Sequence, residues 1–153
     1  MIKDSGERRE FTTGAVRDIQ EGKGRCDLMP LRAVAKYLRR PIEVHSDIPL
    51  YHIALFQETG DTKHLYESLG AFAVGYYSSS PETMLLEVSK HFEEGAKKYG
   101  ENNWQKGLPV SCYIDSAIRH YLKHRRGDTD EPHDRAFVWN LLCCIWEVDY
   151  HHD

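Results

Sequence analysis

On an α-helix, residues four, seven and eleven positions apart fall on one side, and Glu87, His91, Glu94 and Lys98 have that spacing. Two carboxylates about two turns apart on one side can share a hard cation such as Mg²⁺, which takes oxygen ligands and keeps several waters. The same residues also suit a solvated face laced by Glu93–Lys97 and Glu94–Lys98 pairs, and spacing alone leaves both open. Further along, Asp115 and Arg119 lie one turn apart, as do His120 and His124. That H-x-x-x-H lacks the glutamate of a zinc-protease helix, and no cysteine or third histidine stands at a spacing that completes a zinc site.

Three other groupings could meet a ligand. In GAVRDIQEGKGRCDLMP, Lys23 and Arg25 are separated by Gly24 and preceded by Gly22. Backbone N–H groups and two cations could there converge on a phosphate, although the segment is no Walker loop and equally reads as a solvated arm. Trp104 follows Asn102 and Asn103, where an indole could stack on a base while an amide reads its edge; a packing role serves the indole as well. His133 and Asn140 share one side of the last helix with an apolar stripe, a costly position unless both are hydrogen-bonded. Asp134 begins that helix, where it would cap it or complement the positive end of the dipole.

The elements that must position these groups are mostly helical. Residues 1–30 carry four glycines and no sustained period, which reads as an extended Gly-rich arm or loop. Pro30 opens a helix of about ten residues with Leu31, Val34, Ala35 and Leu38 on one side, and Pro41 stops it. Ile53, Leu55 and Phe56 suggest a short helix, and His64 to Gly75 another. The strongest helix runs from about Pro81, after a Ser80 N-cap, to Tyr99, with Leu85, Val88, Phe92, Ala96 and Tyr99 as its stripe and Gly100 ending it. Pro109 to about His124 and a last helix striped by Phe137, Leu141, Cys144, Ile145 and Val148 follow. The predicted fold is all-α: an irregular bundle of four to six helices in a single domain over 1–153, comprising the arm 1–30, a helical insert region 31–81 and core helices 82–150.

Composition limits the function classes. A chain of 153 residues with 41% hydrophobic residues has enough apolar mass for one core. A formal charge of −4 gives no net attraction to nucleic acid or to an anionic membrane, so any phosphate must be bound locally. Cys26, Cys112, Cys143 and Cys144 lack C-x-x-C spacing and read as reduced thiols. No apolar stretch approaches the roughly 18 residues that span a bilayer, so a cytoplasmic protein without membrane or nucleic-acid partners is expected.

Taken together, residues 14–31, EVSKHFEEGAKKYGENNWQKG at 87–107, YIDSAIRHYLKHRRGD at 113–128 and EPHDRAFVWN at 131–140 resemble the phage and prophage dATP/dGTP diphosphohydrolases. These lie near the all-α MazG-like nucleoside triphosphate pyrophosphohydrolases. Relative to shorter members, about fifty residues from Arg32 to Pro81 are additional, and the MazG E-E-x-x-E and E-x-x-D signatures do not occur literally. The resemblance implies Mg²⁺-dependent hydrolysis of purine deoxynucleoside triphosphates to monophosphate and pyrophosphate, with Mn²⁺ as an alternative ion. It also implies a role in nucleotide-pool control and a homo-oligomer, in the host cytoplasm if the gene is viral. On this reading Glu87, Glu94 and Asp134 are catalytic, and Glu87, Glu94, Asp115 and Asp134 hold the metal. Lys23, Arg25, Lys98 and Arg119 meet the phosphates, and Asn103, Trp104, His120, His133 and Asn140 shape the nucleoside pocket. The alternatives are a non-catalytic nucleotide-binding or sequestering module and a phage–host interaction module that docks a partner through the insert.

Overall fold

A computed structural model of the chain describes residues 6–19, 22–38, 48–78 and 80–151. It is mostly helical. Helices α1 (Leu31–Leu38), α2 (Ile48–Thr59), α3 (Lys63–Tyr76), α4 (Pro81–Tyr99), α5 (Val110–Arg126) and α6 (His133–Asp149) account for most of it, with short 3-10 turns at Cys26–Leu28 and Asn103–Lys106. None of them is long and apolar enough to cross a membrane. Pro41 and the side chain of Leu38 lie outside the described residues.

Where the sequence signals are local, the elements follow them. The Ser80 hydroxyl accepts the Thr83 N–H, Pro81 occupies the first helical position, and Gly100 at φ 90° ends α4. In α6, Phe137, Leu141 and Cys144 are fully buried. The stripe of α4 is met in part: Val88 is buried and Phe92 packs against the core, whereas Leu85 is 47% exposed and Met84 and His91 are buried in addition. Met84 is adjacent in sequence to Leu85, and one residue turns a helix by about 100°, so the buried face of α4 takes in Met84 and leaves Leu85 at its edge.

Among the described residues of the arm, a hairpin forms that its composition does not suggest. Strands β1 (Arg8–Glu10) and β2 (Val16–Asp18) pair antiparallel, with Arg9 opposite Arg17. Gly14, at φ +86°, turns the chain between them, and its N–H donates to the Phe11 carbonyl at 2.8 Å. Three-residue strands are too short for a period-2 pattern to stand out. The alternation nonetheless has a consequence: Ala15 is fully buried, and Arg17, two residues on, follows it inward.

One apolar cluster joins the six helices to the hairpin loop, running from Ala15 through Leu31, Leu50 and Phe72 to Ile118 and Ile145. Helices α2 and α3 are integral to it, since Leu50, Ile53, Leu65 and Phe72 are fully buried. Helices α2 and α3 pack as a pair, α1 lies on α2, and α3 reaches both α4 and α6. The tightest pairing is α5 with α6. There Ile118, Tyr121, Phe137 and Leu141 are wholly enclosed, each contributing on the order of 1.5–3 kcal/mol by transfer from water. All four cysteines are free, and burial pushes the Cys143 and Cys144 thiols up from their ordinary range, so they pack as small apolar groups.

Candidate active site

A cleft of about 1510 Å³ opens between the β-hairpin, the second half of α4, the Asn103–Lys106 turn and the facing sides of α5 and α6. Asn103 fixes the hairpin to its rim: its amide nitrogen donates to the Val16 carbonyl at 3.2 Å and its oxygen accepts the Val16 N–H at 3.3 Å. The amide thus substitutes for a neighbouring strand. Thr13 donates to the Gly107 carbonyl, and the Leu108 N–H donates to Glu147 at 2.8 Å. Trp104 lines the cleft beside Phe92 and packs edge-on against Trp146 at 5.0 Å between centroids.

Arg17 projects from β2 into the cleft wall. Its two terminal nitrogens donate to the Cys112 carbonyl at 2.9 Å and to the Asn140 side-chain oxygen at 2.6 Å. The guanidinium lies 5.5 Å from the Tyr113 ring and 5.7 Å from the Trp139 ring. Asn140 is itself oriented by donating to the Ala136 carbonyl at 2.7 Å, which satisfies the amide that the apolar stripe would otherwise strand. Burial lowers the Arg17 pKa from its ordinary value, yet a guanidinium stays charged. Among the described residues no carboxylate pairs with it. A desolvated cation without a counterion attracts an anion.

Two further cations are set by the N-terminal loop. Asp115, 2% exposed, accepts the Cys26 N–H at 2.5 Å, the Asp27 N–H at 3.4 Å and Arg119 at 2.6 Å. Arg119 in turn donates to the Lys23 and Gly24 carbonyls at 3.2 and 2.7 Å. Lys23 reaches Asp18 at 2.8 Å. All four side chains line the cleft. Arg25 lies outside the lining, forked onto Asp27 at 2.8 and 2.7 Å. Lys98 is also outside it, 5.8 Å from the Tyr99 ring centroid.

At the end formed by α5 and the turn before α6, His120 and His133 meet Nδ1 to Nδ1 at 2.8 Å. His133 donates from Nε2 to Asp130 at 2.8 Å, and Glu131 stands 3.7 Å from the His120 Nδ1. His120, Asp130 and Glu131 line the cleft, with His133 buried behind them. Burial holds His120 well below the ordinary imidazole range. His91, also in the wall and 7% exposed, is pushed down to about 4 by burial, and its Nδ1 has no hydrogen-bond partner among the described residues.

Glu87, Glu94 and Asp134 lie outside the cleft lining. Arg135 stands between the two glutamates, 3.1 Å from Glu87 and 3.9 Å from Glu94, and Asp134 accepts the Tyr77 hydroxyl at 2.5 Å. Among the described residues, no three of Glu87, Glu94, Asp115 and Asp134 bring carboxylate oxygens within 4.8 Å of one another. As arranged, this set does not fit one shared Mg²⁺, because the cation between the glutamates is a guanidinium. Of the residues that spacing pointed to, the fold brings Lys23, Asn103, Trp104, Asp115, Arg119, His120 and Asn140 to one cleft. It adds Arg17 and Trp139, which sequence reasoning did not single out as site residues. No sequence signal pointed to Arg17, because the three-residue strand that carries it is too short for a period to show.

A family model described as dATP/dGTP diphosphohydrolase, N-terminal, matches residues 57–152. Comparisons with curated proteins and with solved structures gave no match. The matched segment takes in α3 to α6 entire and the end of α2, and with them the cleft residues from His91 to Asn140. The hairpin and the Lys23 loop precede it. With more than half of its length matched, the chain belongs to the dATP/dGTP diphosphohydrolase N-terminal family.

Proposed function

We propose that the protein hydrolyses purine deoxynucleoside triphosphates to monophosphate and pyrophosphate in this cleft, controlling nucleotide pools in the cytoplasm, that of the host where the gene is viral. The observation that carries this reading is Arg17, a desolvated guanidinium that has no carboxylate partner among the described residues and opens onto the same cleft as Lys23 and Arg119. A polyphosphate supplies the missing counter-charge. Trp104 and Phe92 give the cleft aromatic surface on which a purine can stack.

In the reaction water attacks the α-phosphorus, the bond to the bridging oxygen breaks and pyrophosphate departs with the electrons of that bond. Arg17, Lys23 and Arg119 offset the charge that gathers on the leaving oxygens. Mg²⁺, or Mn²⁺ in its place, is the cofactor we propose; when bound it neutralises phosphate charge and acidifies water. Asp115 is the member of the expected ligand set that lines the cleft, and its two backbone N–H bonds and Arg119 hold its carboxylate in place. Glu87, Glu94 and Asp134 would serve only after Arg135 and Tyr77 release them.

Pyrophosphate release from each of the four dNTPs and four NTPs, with Mg²⁺ and with chelator, tests the proposal. Release from purine dNTPs that chelator abolishes supports it, and silence with all eight refutes it. Silence accompanied by nucleotide binding would establish the sequestering module, a reading favoured by the separation of Glu87 and Glu94 from the cleft. The proposal includes a homo-oligomer, for which Leu85 and Leu86 on α4, 47% and 70% exposed, offer apolar surface; light scattering of the purified protein checks it.

A further inference from the structure

We propose that His120, Glu131 and His133 bind one divalent transition cation of the Zn²⁺ class, with Asp130 positioning His133 and the cation's remaining coordination open to the cleft. The three ligand atoms form a triangle with sides of 2.8, 3.7 and 4.0 Å. The point equidistant from its corners lies about 2.1 Å from each, which is the length of Zn–N and Zn–O bonds. Two imidazoles and one carboxylate are a donor set that suits Zn²⁺ and its neighbours, whereas Mg²⁺ selects oxygen alone.

The tautomer is already chosen. Asp130 accepts from the His133 Nε2–H at 2.8 Å, so the His133 Nδ1 carries a lone pair toward His120. A carboxylate bonded to the far nitrogen is the usual partner of a metal-bound imidazole, fixing both ring orientation and basicity. Without a cation the two Nδ1 atoms share one N–H···N bond, His120 donating. A cation replaces that bond when His120 carries its proton on Nε2 instead, an exchange of tautomers with no net gain or loss of protons. His133 is 2% exposed, whereas His120 and Glu131 line the cleft. Three protein ligands with the fourth side open is the arrangement of a reactive site rather than a closed structural one. None of these contacts was visible in sequence spacing, because His133 lies 13 positions beyond His120, on the next helix.

The test needs no nucleotide and so stands apart from the hydrolase reading. Chelator-stripped protein is titrated with Co²⁺, followed by its visible d–d absorption, and the Co²⁺ is then displaced by Zn²⁺ and challenged with excess Mg²⁺. The expected result is a Co²⁺ site that Zn²⁺ empties and Mg²⁺ does not. His120→Gln and Glu131→Gln should weaken it more than about tenfold, with circular dichroism reporting the fold of each. Asp130→Asn should weaken it by about 10–100-fold, with recovery in Asp130→Glu. His52, His64 and Glu67 form a second group of this kind, so His64→Gln serves as the control and should leave the cleft site unchanged. In the unaltered protein, Zn²⁺ should also shift the imidazole nitrogen resonances of His120 and His133. Absence of Co²⁺ binding, His120→Gln binding like the parent, or unmoved His120 and His133 resonances would each overturn the proposal.

Discussion

Replacing Asp115 by Asn keeps the shape of the side chain and removes its charge, which isolates the contribution of the Asp115–Arg119 pair. The Asp115 side chain is 3% exposed and that of Arg119 13%, so solvent screens the pair weakly. Breaking a buried pair by removing one partner costs roughly 3–5 kcal/mol. Here Arg119 retains the Lys23 and Gly24 carbonyls, and the Asn oxygen can still accept the Cys26 N–H. The loss should therefore sit lower, near the 1.5–3 kcal/mol of a charge-assisted hydrogen bond. For a chain of this size a loss of about 1.5–3 kcal/mol corresponds to a fall in Tm of about 3–12 °C. Urea unfolding followed by circular dichroism at neutral pH measures the change, and limited proteolysis reports whether the loop around Gly22–Asp27 loosens with it. A loss under about 0.5 kcal/mol with unchanged proteolysis would refute the view that Asp115 ties the N-terminal segment to α5.

Arg17→Lys should leave the fold intact while raising the nucleotide Kd by about 10–100-fold, since an ammonium cannot reproduce a fork onto Cys112 and Asn140; equilibrium binding checks it, and an unchanged Kd contradicts the anion role. His91, pushed down to about 4 in the folded state from about 6.5 when unfolded, makes the unfolded chain the better proton acceptor. Its contribution, roughly 3 kcal/mol at most, should be fully present above pH 6.5 and disappear as pH falls toward 4. The difference between the parent and His91→Leu in urea midpoint should narrow or reverse over that window, and a parallel pair of curves would refute the assignment. Gly107→Ala should destabilise by about 1–3 kcal/mol, because φ is +101° and the added Cβ would meet the His151 ring carbon at 2.5 Å; a neutral result in thermal unfolding would mean that His151 swings away without loss.

Sequence alone determined the parts of this protein that depend on neighbours along the chain. Ser80, Pro81 and Gly100 bound α4 because caps and breakers act within a turn, and the α6 stripe is buried because a 3.6-residue period is written directly in residue types. The segment that shows the family is contiguous in the same way. Tertiary structure decided what the charged side chains do. Glu87 and Glu94 share a side of α4, and which cation meets them depended on Arg135, 48 positions from Glu87 and on another helix. Arg17 joined the site through Asn140, 123 positions away, and His120 acquired its partner from α6. A charged group's role is set by the counter-charge that burial brings to it, and contacts at such separations leave no period in the sequence.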